Sequence, residues 1–141
     1  MTGVQTCALP IWGAQQRGQI RTLLGRLCRF HLWEPNYFGI HKALPHEQAI
    51  LEHGPGIKRA FTYKSLNKLI QGSAADMTKK CMLELYKEGI IPHIQIHDEL
   101  DISVKDDKEA KRIVEIMESA VELAIPNKVD YEAGTNWGEI H

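Results

Sequence analysis

Residues 91–104 read IPHIQIHDELDISV. Ile94 and Ile96 alternate with polar residues, and Leu100, Ile102 and Val104 do the same beyond His97-Asp98-Glu99. A period of two marks a strand with one face turned inward. Two such runs around three polar residues predict an antiparallel hairpin with acids at its turn. No other segment restricts the fold as much. It puts Asp98, Glu99 and Asp101 within four residues of one another at a strand junction. Carboxylates held that close repel. Either the turn is simply solvated, or a divalent cation with a preference for hard oxygen ligands offsets the repulsion. Spacing alone leaves both readings open.

The flanking pattern is helical. Leu66, Leu69, Ile70, Ser73, Met77, Cys81 and Leu85 recur at three- and four-residue steps and predict a helix over Ser65–Lys87, with Ser65 as N-cap and Gly89 as stop. Ile113, Ile116, Met117, Ala120, Val121 and Ala124 form one stripe and predict a second helix over Asp107–Ala124. Asp106 or Asp107 suits its start and Pro126 its end. A short strand is expected near Val129–Glu132. Upstream, residues 17–32 read as a strand pair turning at Gly25. Residues 33–58 carry three prolines and three glycines and read as an irregular excursion, with a helical stretch at 46–53. The order strand pair, helix, hairpin, helix, strand implies an α+β fold: an antiparallel sheet whose hairpin packs against two long helices.

At 141 residues the chain has room for one ordinary domain with a core. A net charge of -1 neither requires nor excludes a nucleic-acid partner, so only local charge can argue for one. Cys7, Cys28 and Cys81 stand far apart, without zinc or redox spacing, which fits a reduced, cytoplasmic setting. No apolar run is long enough for a bilayer, and the N-terminus lacks a signal-peptide pattern. Met1–Ile11, MTGVQTCALPI, resembles the translation of a common short-read sequencing adapter, with a GTG start read as Met. That adapter ends one base past the Ile codon with a T, which begins the codon of Trp12. Residues 1–12 are therefore expected to be foreign to the fold, and the gene to have lost upstream sequence.

Asn67 and Gln71 are four residues apart on the first long helix, so their amides lie side by side. The minor groove presents acceptors at nearly the same place on every base pair, and two such amides could test base-pair geometry without reading sequence. Exposed amides also occur on helices with no task. Segment 58–80 holds Lys58, Arg59, Lys64, Lys68, Lys79 and Lys80 against one acid, Asp76, and residues 17–32 add four arginines with no acid. Phosphates or water would suit such a face. His93 and His97 are four apart along a strand, but zinc needs further ligands that the sequence does not name. His41, His46 and His53 have no ligand spacing, and no nucleophile motif or phosphate-cradling glycine loop occurs.

Three segments together resemble the C-terminal part of family A DNA polymerases. GQIRTLLGRLCRF (18–30) resembles the Thr-Leu-x-Gly-Arg segment that follows the fingers. NKLIQGSAADMTKKCM (67–82) is similar to the Asn-x-x-x-Gln-Gly-Ser/Thr-Ala-Ala-Asp helix. IQIHDELDISV (94–104) looks like motif C, and Asn136-Trp137 through His141 resembles the family's ending. The resemblance covers residues 17–141. It implies that residues 13–141 are a palm region acting in DNA-directed DNA synthesis. Asp98 would be a catalytic ligand of Mg2+, in a two-metal mechanism, and Glu99 its acidic neighbour. His97 would contact the primer end, Asn67 and Gln71 the minor groove, and Arg59 and Arg26 the backbone of primer–template DNA; dNTP would be the other substrate. The 33–58 excursion exceeds the family's usual link. Motif A, with the second aspartate, and motif B are absent from these residues, so the chain alone is expected to be inactive. A DNA-binding module without chemistry, or a metal-dependent nuclease, are the competing readings. No membrane partner is expected, and a processivity partner is not specified.

Overall fold

The structure, a computed structural model, describes residues 4–140, with side chains from Leu9 onward. The described residues form four helices and three separate antiparallel groups of short strands, an α+β arrangement. The chain divides into two compact units, Met1–Ser73 and Ala74–His141. No helix among the described residues is long and apolar enough to cross a membrane.

In the first unit, helix α1 (Val4–Arg17) ends at Gly18, whose φ of 69° lets its N–H donate to Ala14 O at 3.0 Å. Residues 4–12, set aside above as foreign to the fold, are helical here and continuous with 13–17. Strands β1 (Gln19–Arg21) and β2 (Leu27–Arg29) pair with Ile20 opposite Cys28, the strand pair that the alternation around Gly25 predicts. Ala14, Ile20 and Phe30 form the buried core, with Cys28 and Leu69 against it.

The excursion at 33–58 is irregular only in part, chiefly over 36–43. Strands β3 (Leu32–Pro35), β4 (Leu44–Pro45) and β5 (Ile57–Arg59) form a sheet in the order β4-β3-β5, with helix α2 (His46–His53) between β4 and β5 in sequence. Prolines inside the strands hid it, because a proline removes a ladder donor. Pro35 is tolerated because β4 pairs only with Leu32 and Trp33, so no β4 partner faces it.

Helix α3 runs Ser65–Lys87, the span that the apolar periodicity predicts. Ser65 is not its N-cap, however. Its backbone is already helical at φ −61° and ψ −40°, because a 3-10 turn (Thr62–Lys64) feeds straight into the helix, and its buried hydroxyl has no hydrogen-bond partner.

In the second unit α3 stops as expected at Gly89, φ 78°. Gly89 N donates to Tyr86 O at 3.0 Å and Ile90 N to Leu85 O at 3.0 Å, the paired bonds of a Schellman ending. Strands β6 (Ile94–Ile96) and β7 (Glu99–Asp101) make the hairpin. Helix α4 (Asp107–Ser119) starts at Asp106, whose carboxylate accepts from Glu109 N at 2.8 Å. It stops five residues before Ala124. The Ser119 hydroxyl turns back to Glu115 O and Ile116 O, a contact that competes with helical propagation. Val129–Glu132 forms no strand. No neighbouring strand takes its hydrogen bonds, and Val129 N donates to the Glu118 carboxylate at 3.1 Å instead.

Candidate functional site

The turn of the second-unit hairpin is tight. Ile96 pairs with Glu99, so only His97 and Asp98 lie between the strands. A two-residue connection demands a positive φ, and His97 supplies it at 51°. His is among the residues that reach this region more readily than most. Gln95 Nε2 donates to His97 O at 2.6 Å and braces the tip.

His97, Asp98 and Glu99 are all exposed. Among the described residues neither Asp98 nor Glu99 has a hydrogen bond or ion pair to satisfy its carboxylate, while Asp101 is half-buried and its carbonyl accepts from His93 N at 2.8 Å. His93 is taken by Ser103, Nε2 to Oγ 3.0 Å, and so is not poised as a metal ligand beside His97. Two adjacent open carboxylates suit a hard cation that retains waters or phosphate oxygens. No group of three or more His, Cys, Asp or Glu able to hold a metal occurs among the described residues. The hairpin therefore fits a share of a Mg2+ shell and no more.

In the first unit, Asn67 and Gln71 are both exposed on α3, one turn apart, as their spacing requires. The basic residues near them are partly committed. Lys68 Nζ lies 4.8 Å from the Phe30 ring, and Lys64 Nζ 5.2 Å from Phe61. Arg26 Nη2 donates to Gly72 O at 3.0 Å, which ties the β1–β2 turn to α3. Arg59 lies over the Trp33 ring at 4.6 Å and donates to Phe30 O at 3.0 Å. Both arginines thus have clear structural work, and the half-buried Arg59 is held in one orientation.

Sequence reasoning placed Ser73 in the helical stripe and gave neither it nor Gly72 a part in holding the β1–β2 turn. Ser73 Oγ accepts from Leu23 N at 2.9 Å and donates to Leu69 O at 2.7 Å. A Cβ on Gly72 would stand 3.0 Å from Thr22 Cγ2 and 3.3 Å from Arg26 Nη2. Small residues there let the turn approach the helix. The available signal was a glycine in a helix interior, where it costs about 1 kcal/mol relative to alanine without such a reason.

Elsewhere, burial pushes the Cys81 thiol up, and hydrogen bonds from Lys80 and Lys87 hold the Glu84 carboxyl below its ordinary value.

The sequence pattern of DNA polymerase family A matches residues 11–139. The chain belongs to that family. It is 38% identical over 125 residues to a DNA-directed DNA polymerase of Pseudomonas phage M6, covering 89% of this chain and 16% of that protein. It is 32% identical over 143 residues to DNA polymerase I of Rhizobium leguminosarum, covering 91% of this chain and 12% of that one. DNA polymerase DpoZ of Acinetobacter phage SH-Ab 15497 is 30% identical over 135 residues, 88% of this chain and 18% of its own length. The chain thus spans less than a fifth of the length of each of these relatives.

Proposed function

We propose that this chain is the palm region of a polymerase that carries out template-directed DNA synthesis in the cytoplasm of a bacterium or phage-infected host. One observation carries the reading: in a family A chain, the strand-flanked tip presents Asp98 and Glu99 exposed and without internal partners. Asp98 sits in the two-residue turn and Glu99 opens β7, so both carboxylates stand at the tip.

In the complete polymerase the primer 3′-oxygen attacks the α-phosphate of a dNTP, and pyrophosphate leaves. Asp98 would hold Mg2+ with Glu99 beside it, and the ions, when bound, would acidify the attacking hydroxyl and neutralise charge at the leaving group. His97, at the strained first position of the turn, faces the primer end. Asn67 and Gln71 offer amide donors to the minor groove, where acceptor positions barely depend on sequence. Arg26 and Arg59 are the remaining backbone contacts in this reading. With a single motif aspartate, these 141 residues alone extend no primer.

The test is Asp98→Ala in residues 13–141 joined to a family A upstream region that carries the partner aspartate. Primer extension should be lost while primer–template binding persists. Unchanged behaviour would favour a binding module without chemistry, and loss of DNA cleavage rather than synthesis would favour a nuclease. Extension of a primer by the 141-residue chain itself would overturn the claim that it is inactive alone.

A further inference from the structure

The spacing of Tyr37, His41 and His53 names no site, yet the first unit brings their rings together. Tyr37 and His41 lie in the segment between β3 and β4, and His53 ends α2. Ring centroids are 4.8 Å apart for Tyr37 and His41, 6.3 Å for Tyr37 and His53, and 6.0 Å for the two histidines. All three pairs meet edge to face, which packing alone would allow. The polar atoms of the cluster are not satisfied by packing.

His41 Nε2 is buried and has no hydrogen-bond partner among the described residues. A buried polar atom left in that state is unfavourable unless something else satisfies it. Gly39 leaves room beside it, since a Cβ there would stand 2.6 Å from Nε2. Tyr37 Oη lies 3.4 Å from His53 Nδ1. Hydrogen bonds are usually shorter, below about 3.2 Å, whereas ligand atoms on a tetrahedral ion with bonds of about 2.0–2.1 Å stand about 3.3–3.4 Å apart. At the other nitrogen of the same ring, the Glu52 carboxylate is 3.7 Å from His53 Nε2. A metal-bound imidazole characteristically turns its second nitrogen toward a carboxylate, which steadies the ring. No three of His, Cys, Asp and Glu gather to hold a metal among the described residues; the third donor here is a phenol oxygen, outside that set.

We propose that Tyr37 Oη, His41 Nε2 and His53 Nδ1 bind a divalent transition-metal ion of the zinc class, with water in the fourth position. Two imidazoles select Zn2+ over Mg2+, which prefers carboxylate, carbonyl and water oxygens. Tyr37 is exposed, so the ion and its water have access from solvent. The ion ties the irregular segment 36–43 to the end of α2. The inference rests on this donor set and not on the polymerase reading.

The full chain is titrated by calorimetry with zinc chloride, with excess Mg2+ present throughout. Zn2+ should bind despite the Mg2+. His41→Ala and His53→Ala should each weaken Zn2+ binding about tenfold or more, since even an outer partner of a metal site contributes on that scale. Asp98→Ala should leave Zn2+ binding unchanged, because the acidic hairpin supplies none of the donors. The His53 side chain is only 12% exposed, so its removal can disturb folding. Should either histidine variant fail to fold, Tyr37→Phe carries the test: the position is exposed, the ring is kept, and only the oxygen is lost. It should weaken Zn2+ about tenfold. Absence of Zn2+ binding, binding that the substitutions at 37, 41 and 53 leave untouched, or binding lost with Asp98→Ala overturns the proposal.

Discussion

The molecule contains two small hairpins built from similar lengths of chain and finished in opposite ways. The turn between β1 and β2 is tied down on every side. Thr22 N donates to Arg26 O at 2.9 Å, Gly25 N to Thr22 O at 2.9 Å, Arg26 N to Thr22 Oγ1 at 3.0 Å, and Leu23 N to Ser73 Oγ at 2.9 Å. Its strand buries Ile20 in the core. The turn between β6 and β7 has a single brace, Gln95 to His97 O, and all three β6 side chains are exposed, Ile94 and Ile96 included. One hairpin satisfies its polar groups internally and contributes to stability. The other leaves a pair of carboxylates open to whatever solvent or ligand supplies. The first hairpin is held by its own hydrogen bonds, and the second leaves its carboxylates to solvent.

The largest effect that sharpens this contrast is on chemistry. Asp98→Ala, in the polymerase context described above, should lower primer extension by about a thousandfold or more, since a metal ligand contributes several kcal/mol. The same substitution should leave the urea midpoint of the 141-residue chain within about 0.5 kcal/mol of its original stability, the usual range for a surface change without partners. A marked loss of stability on removing Asp98 would mean that the open hairpin is structural after all.

The tied hairpin should respond the other way. Gly72→Val forces branched carbons against Thr22 Cγ2 and the Arg26 guanidinium, and the predicted cost is about 2–3 kcal/mol by chemical denaturation. Thr22→Val keeps the shape but removes the acceptor for Arg26 N, at an expected cost of about 1–2 kcal/mol. If both substitutions prove neutral, the turn-to-helix contact carries no stability and the comparison fails on this side.

The two hairpins also differ in how far the sequence disclosed them. Period-two alternation and the lone Gly25 were enough for the first, and alternation around three polar residues for the second. Helix α3 was equally plain, because seven residues keep its stripe over more than five turns. The sheet of β3, β4 and β5 was not, because its strands are two to four residues long and two of them end in proline. The end of α4 was overrun because Val121 keeps the apolar stripe and is buried even though the helix has already stopped. At the site, Asp98, Glu99, Asn67 and Gln71 could be named from spacing and resemblance. That Asp98 and Glu99 lack internal partners depends on three-dimensional neighbours, and so does the clamping of Arg26 and Arg59. No periodicity encodes either.

The smallest effect probes the backbone of the two turns. Gly25 takes φ 88° with nothing within 4 Å of its missing Cβ, so Gly25→Ala meets no steric neighbour and reports the left-handed penalty alone, about 1 kcal/mol of lost stability. His97 takes φ 51° with a full side chain, so His97→Gly removes that penalty but adds unfolded-state entropy, for a net gain below about 1 kcal/mol. Opposite signs are therefore expected from reciprocal substitutions at the positive-φ residues of the two turns, measured as shifts in denaturation midpoint. A turn chosen only for stability would hold glycine in both places. The imidazole at 97 is kept where the backbone disfavours it, and a loss of primer extension in the stabilised His97→Gly polymerase would show that the ring, and not the turn, is what the position serves.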